Sequence, residues 1–100
     1  MGRINAMKRV YLNGKRMETK EDAHRLLRHK LHFPDYYGNN LDALMDCLTD
    51  VREPIRLILF NEKSLLEKGN GYGQKLVEVL TAATGINPRL QLELRSGVFR

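Results

Sequence analysis

A small α/β domain with a three-stranded parallel sheet and about four helices follows from three observations. Segments 9–12, 55–60 and 89–94 have strand character, and the stretches between them carry helical apolar spacing. Strands separated by helices pair in parallel, and right-handed crossovers put the helices on a common side. The last segment alternates, with Leu90, Leu92 and Leu94 opposite Gln91 and Glu93, so one sheet face is only partly covered and the layers number two. One hundred residues with 42% hydrophobic content suffice for one domain over 1–100, not two.

The elements follow in order. Residues 1–6 show no clear period and read as a leader or a start set too early. With 95–100 they are assigned as flexible ends around a core of 7–94. Arg9–Leu12 (RVYL) is β-rich, and Asn13-Gly14 ends it as a turn. Thr19 with Asp22 three residues on resembles a capping box, and Glu21 and Asp22 suit the positive end of a helix. Ala23, Leu26, Leu27 and Leu31 continue that helix until Phe33-Pro34 closes it. Residues 35–40 form a loop in which Gly38 is free to take positive φ, and Asn40 caps the next helix. Leu41, Leu44, Met45 and Leu48 give that helix its apolar stripe. Glu53-Pro54 breaks the chain before Ile55–Phe60 (IRLILF), a largely buried strand. Glu62–Lys68 reads as a short helix and Gly69–Gly73 (GNGYG) as a flexible joint. Lys75–Thr84 reads as a helix with Gly85 at its C-terminal cap.

Charge is unevenly placed along the chain. The formal net charge is +5, with residues 1–32 at +6, 33–53 at −4 and 54–100 at +3. Asp42, Asp46 and Asp50 recur every four residues, which on a helix aligns them along one side, opposite Leu41, Leu44 and Leu48. Four readings fit an acidic helix side. It is a solvated face, a carboxylate pair for acid–base chemistry, a metal site, or a docking surface for a basic protein. The second needs a pocket and a partner group that the sequence does not supply. The third lacks the close-set oxygen ligands of a calcium loop. The fourth gains apolar contact from Tyr36, Tyr37 and Met45 beside the acids.

The remaining reactive residues carry little. His24, His29 and His32 are spaced poorly for a shared metal and read as ordinary surface or helix-end histidines. Cys47, the one cysteine, has no histidine that can be argued to lie beside it and precludes an internal disulfide; a reducing, cytoplasmic location suits it. GNGYG lacks the Lys-Ser/Thr of a phosphate-binding loop. Lys15, Arg16, Arg25 and Arg28 could form a basic patch for RNA, but no aromatic residues are interleaved with them. The longest purely apolar run is Leu57–Phe60, too short for a membrane span. No catalytic constellation, cofactor motif or metal set can be assembled, so the chain is expected not to be an enzyme.

The segment PDYYGNNLDALMDCLTD, residues 34–50, resembles the central segment of the barstar family of intracellular ribonuclease inhibitors. The match is dense at Pro34, Tyr36-Tyr37-Gly38, Asn40–Leu44 and Asp46–Thr49, and Lys8–Gly14 and Asn70-Gly71 agree as well. The resemblance implies a barstar-like fold and an inhibitor that covers a ribonuclease active site with carboxylates standing where RNA phosphates would sit. It implies that Asp46 enters the phosphate site and Asp42 pairs with an enzyme cation at its edge. Tyr36 packs toward the catalytic base, and Gly38 and Asn40 make backbone and amide contacts. Met45, Thr49 and Asp50 continue the surface. It further implies a barnase-type, secreted ribonuclease as partner, an immunity role in the cytoplasm, a monomer when free, and no nucleic acid bound directly. Two departures stand out: Met45 where the family has a tryptophan, and Ala82 where its last helix carries another acid, with Glu78 one turn earlier. The alternatives are a nucleic-acid-binding module using the basic N-terminal helix, and a barstar-like scaffold with a non-nuclease partner.

Overall fold

A computed structural model describes residues 7–96. Three strands, β1 (Lys8–Asn13), β2 (Ile55–Phe60) and β3 (Leu90–Leu94), form one parallel sheet in the order β1-β2-β3. Four helices connect them: α1 (Lys20–Leu31), α2 (Leu41–Thr49), α3 (Glu62–Lys68) and α4 (Tyr72–Ile86). This is the α/β arrangement expected from the alternation of strand and helix patterns. The ends at 1–6 and 97–100 lie outside the described residues. Arg95, assigned to the flexible tail, is tied to the sheet: its N–H donates to Leu59 O at 2.8 Å, and Glu62 N–H donates to its carbonyl at 3.0 Å.

The core lies between one sheet face and the helices. Val10 and Leu12 of β1, Ile55, Leu57 and Leu59 of β2, and Leu90 of β3 meet Ala23, Leu27, Leu44, Leu48, Leu76, Leu80 and Ala83. Full burial of a leucine contributes roughly 1.5–3 kcal/mol, so a core dominated by leucine can hold a chain of this size together. The opposite face carries Arg9, Tyr11, Arg56, Ile58, Gln91 and Glu93, as strand alternation requires. Ile58 is nonetheless buried there, in register with Tyr11 and Glu93.

Helix ends are set by local chemistry, with some shifts from expectation. Thr19 Oγ accepts from Asp22 N–H at 3.0 Å, and Asn40 Oδ1 accepts from Ala43 N–H at 2.8 Å. α1 stops at His32, which turns left-handed (φ 57°), one residue before the Phe33-Pro34 break. Gly38 does not take positive φ; the neighbouring Asn39 does (φ 54°), as a short amide side chain permits. Gly85 is not a cap, because α4 runs on to Ile86 and Asn87 ends it. In the GNGYG stretch the outer glycines are packed, while Asn70 and Gly71 between them are exposed. A Cβ on Gly73 would stand 2.3 Å from Leu65 O, so the start of α4 rests directly on α3.

Candidate functional site

The acidic helix is held rigidly from beneath. Leu44 and Leu48 are fully buried, and Met45 and Cys47 are half-buried against the core. The C-terminal end of α2 is secured by a buried side chain from the far end of α4. Asn87 Nδ2 donates to Leu48 O at 3.0 Å, a helix-end carbonyl that also accepts from Val51 N–H at 3.3 Å, and to Val51 O at 2.9 Å in the segment that follows. The sequence marks Asn87 only as a turn former. Its role depends on α4 packing against α2, which no local pattern states.

On this support Asp42, Asp46 and Asp50 are all exposed. Among the described residues none of the three carboxylates has an ion pair or a hydrogen bond. One helical turn separates each from the next, about 6 Å along the axis. Asp42 sits in the first turn, where the helix dipole favours an anion. Asp50 is the C-terminal cap residue, where the dipole opposes one, and no basic residue occupies the last turn to offset it. The arrangement therefore costs folding energy, and a cationic partner would relieve it.

The tyrosine pair divides. Tyr36 is 89% exposed and Tyr37 is 5% exposed. Tyr37 thus offers no docking area, contrary to the expectation that both rings back the acids. Its ring stacks obliquely on Phe33 at 4.9 Å, and its N–H donates to Pro34 O at 3.0 Å. Tyr36, Asp46 and Asp50 line one shallow groove together with Phe33, Pro34 and Cys47. Gly38, Asn40 and Asp42 lie outside that groove, around the start of α2. The Asn40 side chain is occupied as a cap and by a bond to Gly38 O at 3.2 Å. Thr49 is half-buried, and its hydroxyl donates to Asp46 O at 3.1 Å. Ala82 and Glu78 are both exposed on α4. Burial, with Asp46 and Asp50 nearby, pushes the Cys47 thiol up, away from the thiolate a nucleophile needs.

Of the histidines, His29 and His32 are exposed, but His24 is a correction: it is 1% exposed, a core residue and not a surface one. Its Nδ1 lies 2.6 Å from the Tyr37 hydroxyl and its Nε2 2.5 Å from that of Tyr72. Burial and the Lys20 charge hold its pKa below the ordinary imidazole range. Burial raises both tyrosines above the ordinary phenol range. Among the described residues no three His, Cys, Asp or Glu groups are placed to hold a metal. No helix of the described residues is long and apolar enough to cross a membrane. The basic residues of α1 are partly engaged: Arg25 pairs with Asp22 at 2.6 Å and Arg28 with Asp35 at 2.9 Å.

Comparison with known proteins adds a second line of argument. The family model described as Barstar (barnase inhibitor) matches residues 7–94. A Bacillus subtilis (strain 168) protein named "Putative ribonuclease inhibitor YrdF" is 41% identical over 78 residues, spanning 77% of this chain and 86% of that protein.

Proposed function

The chain belongs to the barstar family, and from that premise we propose that it binds a ribonuclease and blocks its active site. The single observation that carries the finer reading is the row Asp42, Asp46 and Asp50: exposed, aligned on a well-anchored helix, and without partners among the described residues. A ribonuclease site is lined with cations that hold phosphate. Carboxylates brought to those cations form charge-assisted hydrogen bonds, and desolvation strengthens them. Asp46 is the central anion, Asp42 pairs at the edge, and Asp50 adds a carboxylate at the mouth of the Tyr36 groove. Tyr36 supplies a rigid amphipathic ring at low entropic cost. Gly38, Asn40, Met45 and Thr49 complete the surface around them. The protein acts by occupying a site and not by catalysis.

The proposed target is a barnase-type, secreted ribonuclease, held inactive in the cytoplasm by a monomeric inhibitor. The chain's +5 charge opposes long-range attraction to a strongly basic enzyme, so association relies on the acidic surface itself and is slower than charge steering would allow.

The test is titration of a barnase-type ribonuclease with this protein and with Asp46→Ala. Stoichiometric inhibition lost in the variant supports the reading. Loss of inhibition on changing Lys15 and Arg16, with Asp46→Ala unaffected, would instead move the activity to the basic side and to nucleic acid, with the steep salt dependence such binding shows.

A further inference from the structure

His24 stands apart from everything the acidic surface explains. It is a buried, titratable side chain whose two ring nitrogens both reach tyrosine hydroxyls, at 2.6 Å and 2.5 Å. One of these, Tyr37, lies between Tyr36 and Gly38. The other, Tyr72, opens α4. The chain Tyr37–His24–Tyr72 therefore ties the loop before α2 to helices α1 and α4 by side-chain contacts alone.

A neutral imidazole has one donor and one acceptor, so the chain of protons can run in only two directions. If Nδ1 carries the proton, Tyr37 must accept it, and the Tyr37 hydroxyl proton is left in the interior with no other acceptor among the described residues. If Nε2 carries it, Tyr37 donates to Nδ1, Nε2–H donates to Tyr72, and half-buried Tyr72 can pass its own proton to water. Burial of Tyr37 selects the second order, because an unpaired buried donor is costly. Protonation of His24 would turn Nδ1 from acceptor to donor and set it against the Tyr37 O–H. Burial of the ring and the Lys20 charge oppose protonation. Glu21 of α1 favours it, Tyr37 of the loop and Tyr72 of α4 are neutral, and Arg25 and Arg28, which line the hollow beside the ring, are paired with Asp22 and Asp35. Lys20 itself sits over the Tyr72 ring, 5.6 Å from its centroid.

We infer that His24 is a positioning residue for the proposed nuclease-binding surface, gripping Tyr37 and Tyr72 through its two nitrogens and so fixing the loop that presents Tyr36, Gly38 and Asn40. The inference rests on the inhibitor reading only for what the loop binds; the grip is internal to the chain. Acid releases it, because only neutral His24 can accept the Tyr37 proton.

The experiment is amide hydrogen exchange on the full chain, read as protection at Tyr37, whose N–H is bonded to Pro34, against Leu57 and Leu59 in the central strand. In His24→Gln, protection at Tyr37 falls more than tenfold while the strand changes less than threefold. Tyr72→Phe, which removes only the outer hydroxyl, gives a smaller fall at the same place and covers the case in which His24→Gln does not fold. In the unaltered protein Tyr37 protection falls as pH drops below the ordinary imidazole range, side-chain ¹⁵N spectra show Nε2–H above it, and His24→Gln has a flat profile. Equal loss at loop and strand in either variant, a flat profile in the unaltered protein, or an Nδ1–H tautomer would overturn the inference. Inhibition of a barnase-type ribonuclease is measured in parallel. An absent inhibition with the loop profile intact sinks the nuclease reading and leaves the positioning role standing.

Discussion

Two charged surfaces of this molecule differ in how their charges are spent. On the helix-free sheet face Glu93 accepts from Arg56 Nη2 at 2.8 Å and from Arg95, and Arg56 also donates to Gln91 at 2.7 Å. Those two guanidinium bonds, Arg95 first, hold the Glu93 carboxyl below the usual carboxylate range. On α2, Asp42, Asp46 and Asp50 have no such partners among the described residues, and one of them sits at the wrong end of its helix. The first set closes on itself and stabilises the fold. The second is left open at a cost, and that cost suits a surface whose partner lies on another molecule.

The largest effect should separate the two surfaces outright. Asp46→Ala is expected to weaken ribonuclease inhibition by at least about 2 kcal/mol, roughly thirtyfold, without lowering the denaturation midpoint. Glu93→Gln is expected to do the reverse, lowering the midpoint and leaving inhibition unchanged. Paired urea melts and inhibition titrations of both variants check this, and any crossing of the two effects breaks the comparison.

Asn87→Ala probes what holds the open surface in place. It removes the side-chain donor that holds the Leu48 and Val51 carbonyls, leaving Leu48 O the Val51 N–H, so a stability loss of about 1–3 kcal/mol is expected by urea unfolding. Part of that loss should reappear as weaker inhibition, because the end of α2 carrying Asp50 is freed.

Acid should unpick the two regions in sequence. The folded pKa of His24 is depressed, so its contribution is complete above the ordinary imidazole range and is lost as pH falls from there through the lowered folded value. The folded pKa of Glu93 is also depressed, so its contribution is complete above the ordinary carboxylate range and is lost only at lower pH. Stability measured against pH should show the first step vanish in His24→Gln and the second shrink in Glu93→Gln.

How much of this was readable beforehand follows a physical line. The strands and helices were legible because their signals are local: IRLILF is apolar throughout, and Thr19 and Asn40 cap within three residues. The acidic row was legible because spacing by four on a helix is arithmetic. Whether those acids were paired was not, since Arg25 and Arg28 turn to Asp22 and Asp35 instead. His24 is not legible as a core residue, because only the arrival of Tyr37 and Tyr72, 13 and 48 residues away, makes it one. The role of Asn87 is hidden for the same reason, its carbonyl partners lying 36 and 39 residues back.

The smallest effect is the most discriminating in sign. Asp46 faces Asp42 and Asp50 at i−4 and i+4, and like charges at that spacing destabilise a helix by about 0.2–0.5 kcal/mol per pair. Asp46→Asn keeps the shape of the side chain and removes both repulsions. A surface kept for solubility would lose nothing in function from that change, and a structural carboxylate would lose stability. A carboxylate held for a partner gives a third pattern, in which the protein becomes slightly harder to unfold at low salt while its inhibition collapses. The stability gain should fade as salt screens the repulsion, because all three side chains are exposed. Urea melts at low and high ionic strength, beside one inhibition titration, read all three patterns, and a fall in stability at low salt would show that Asp46 serves the fold after all.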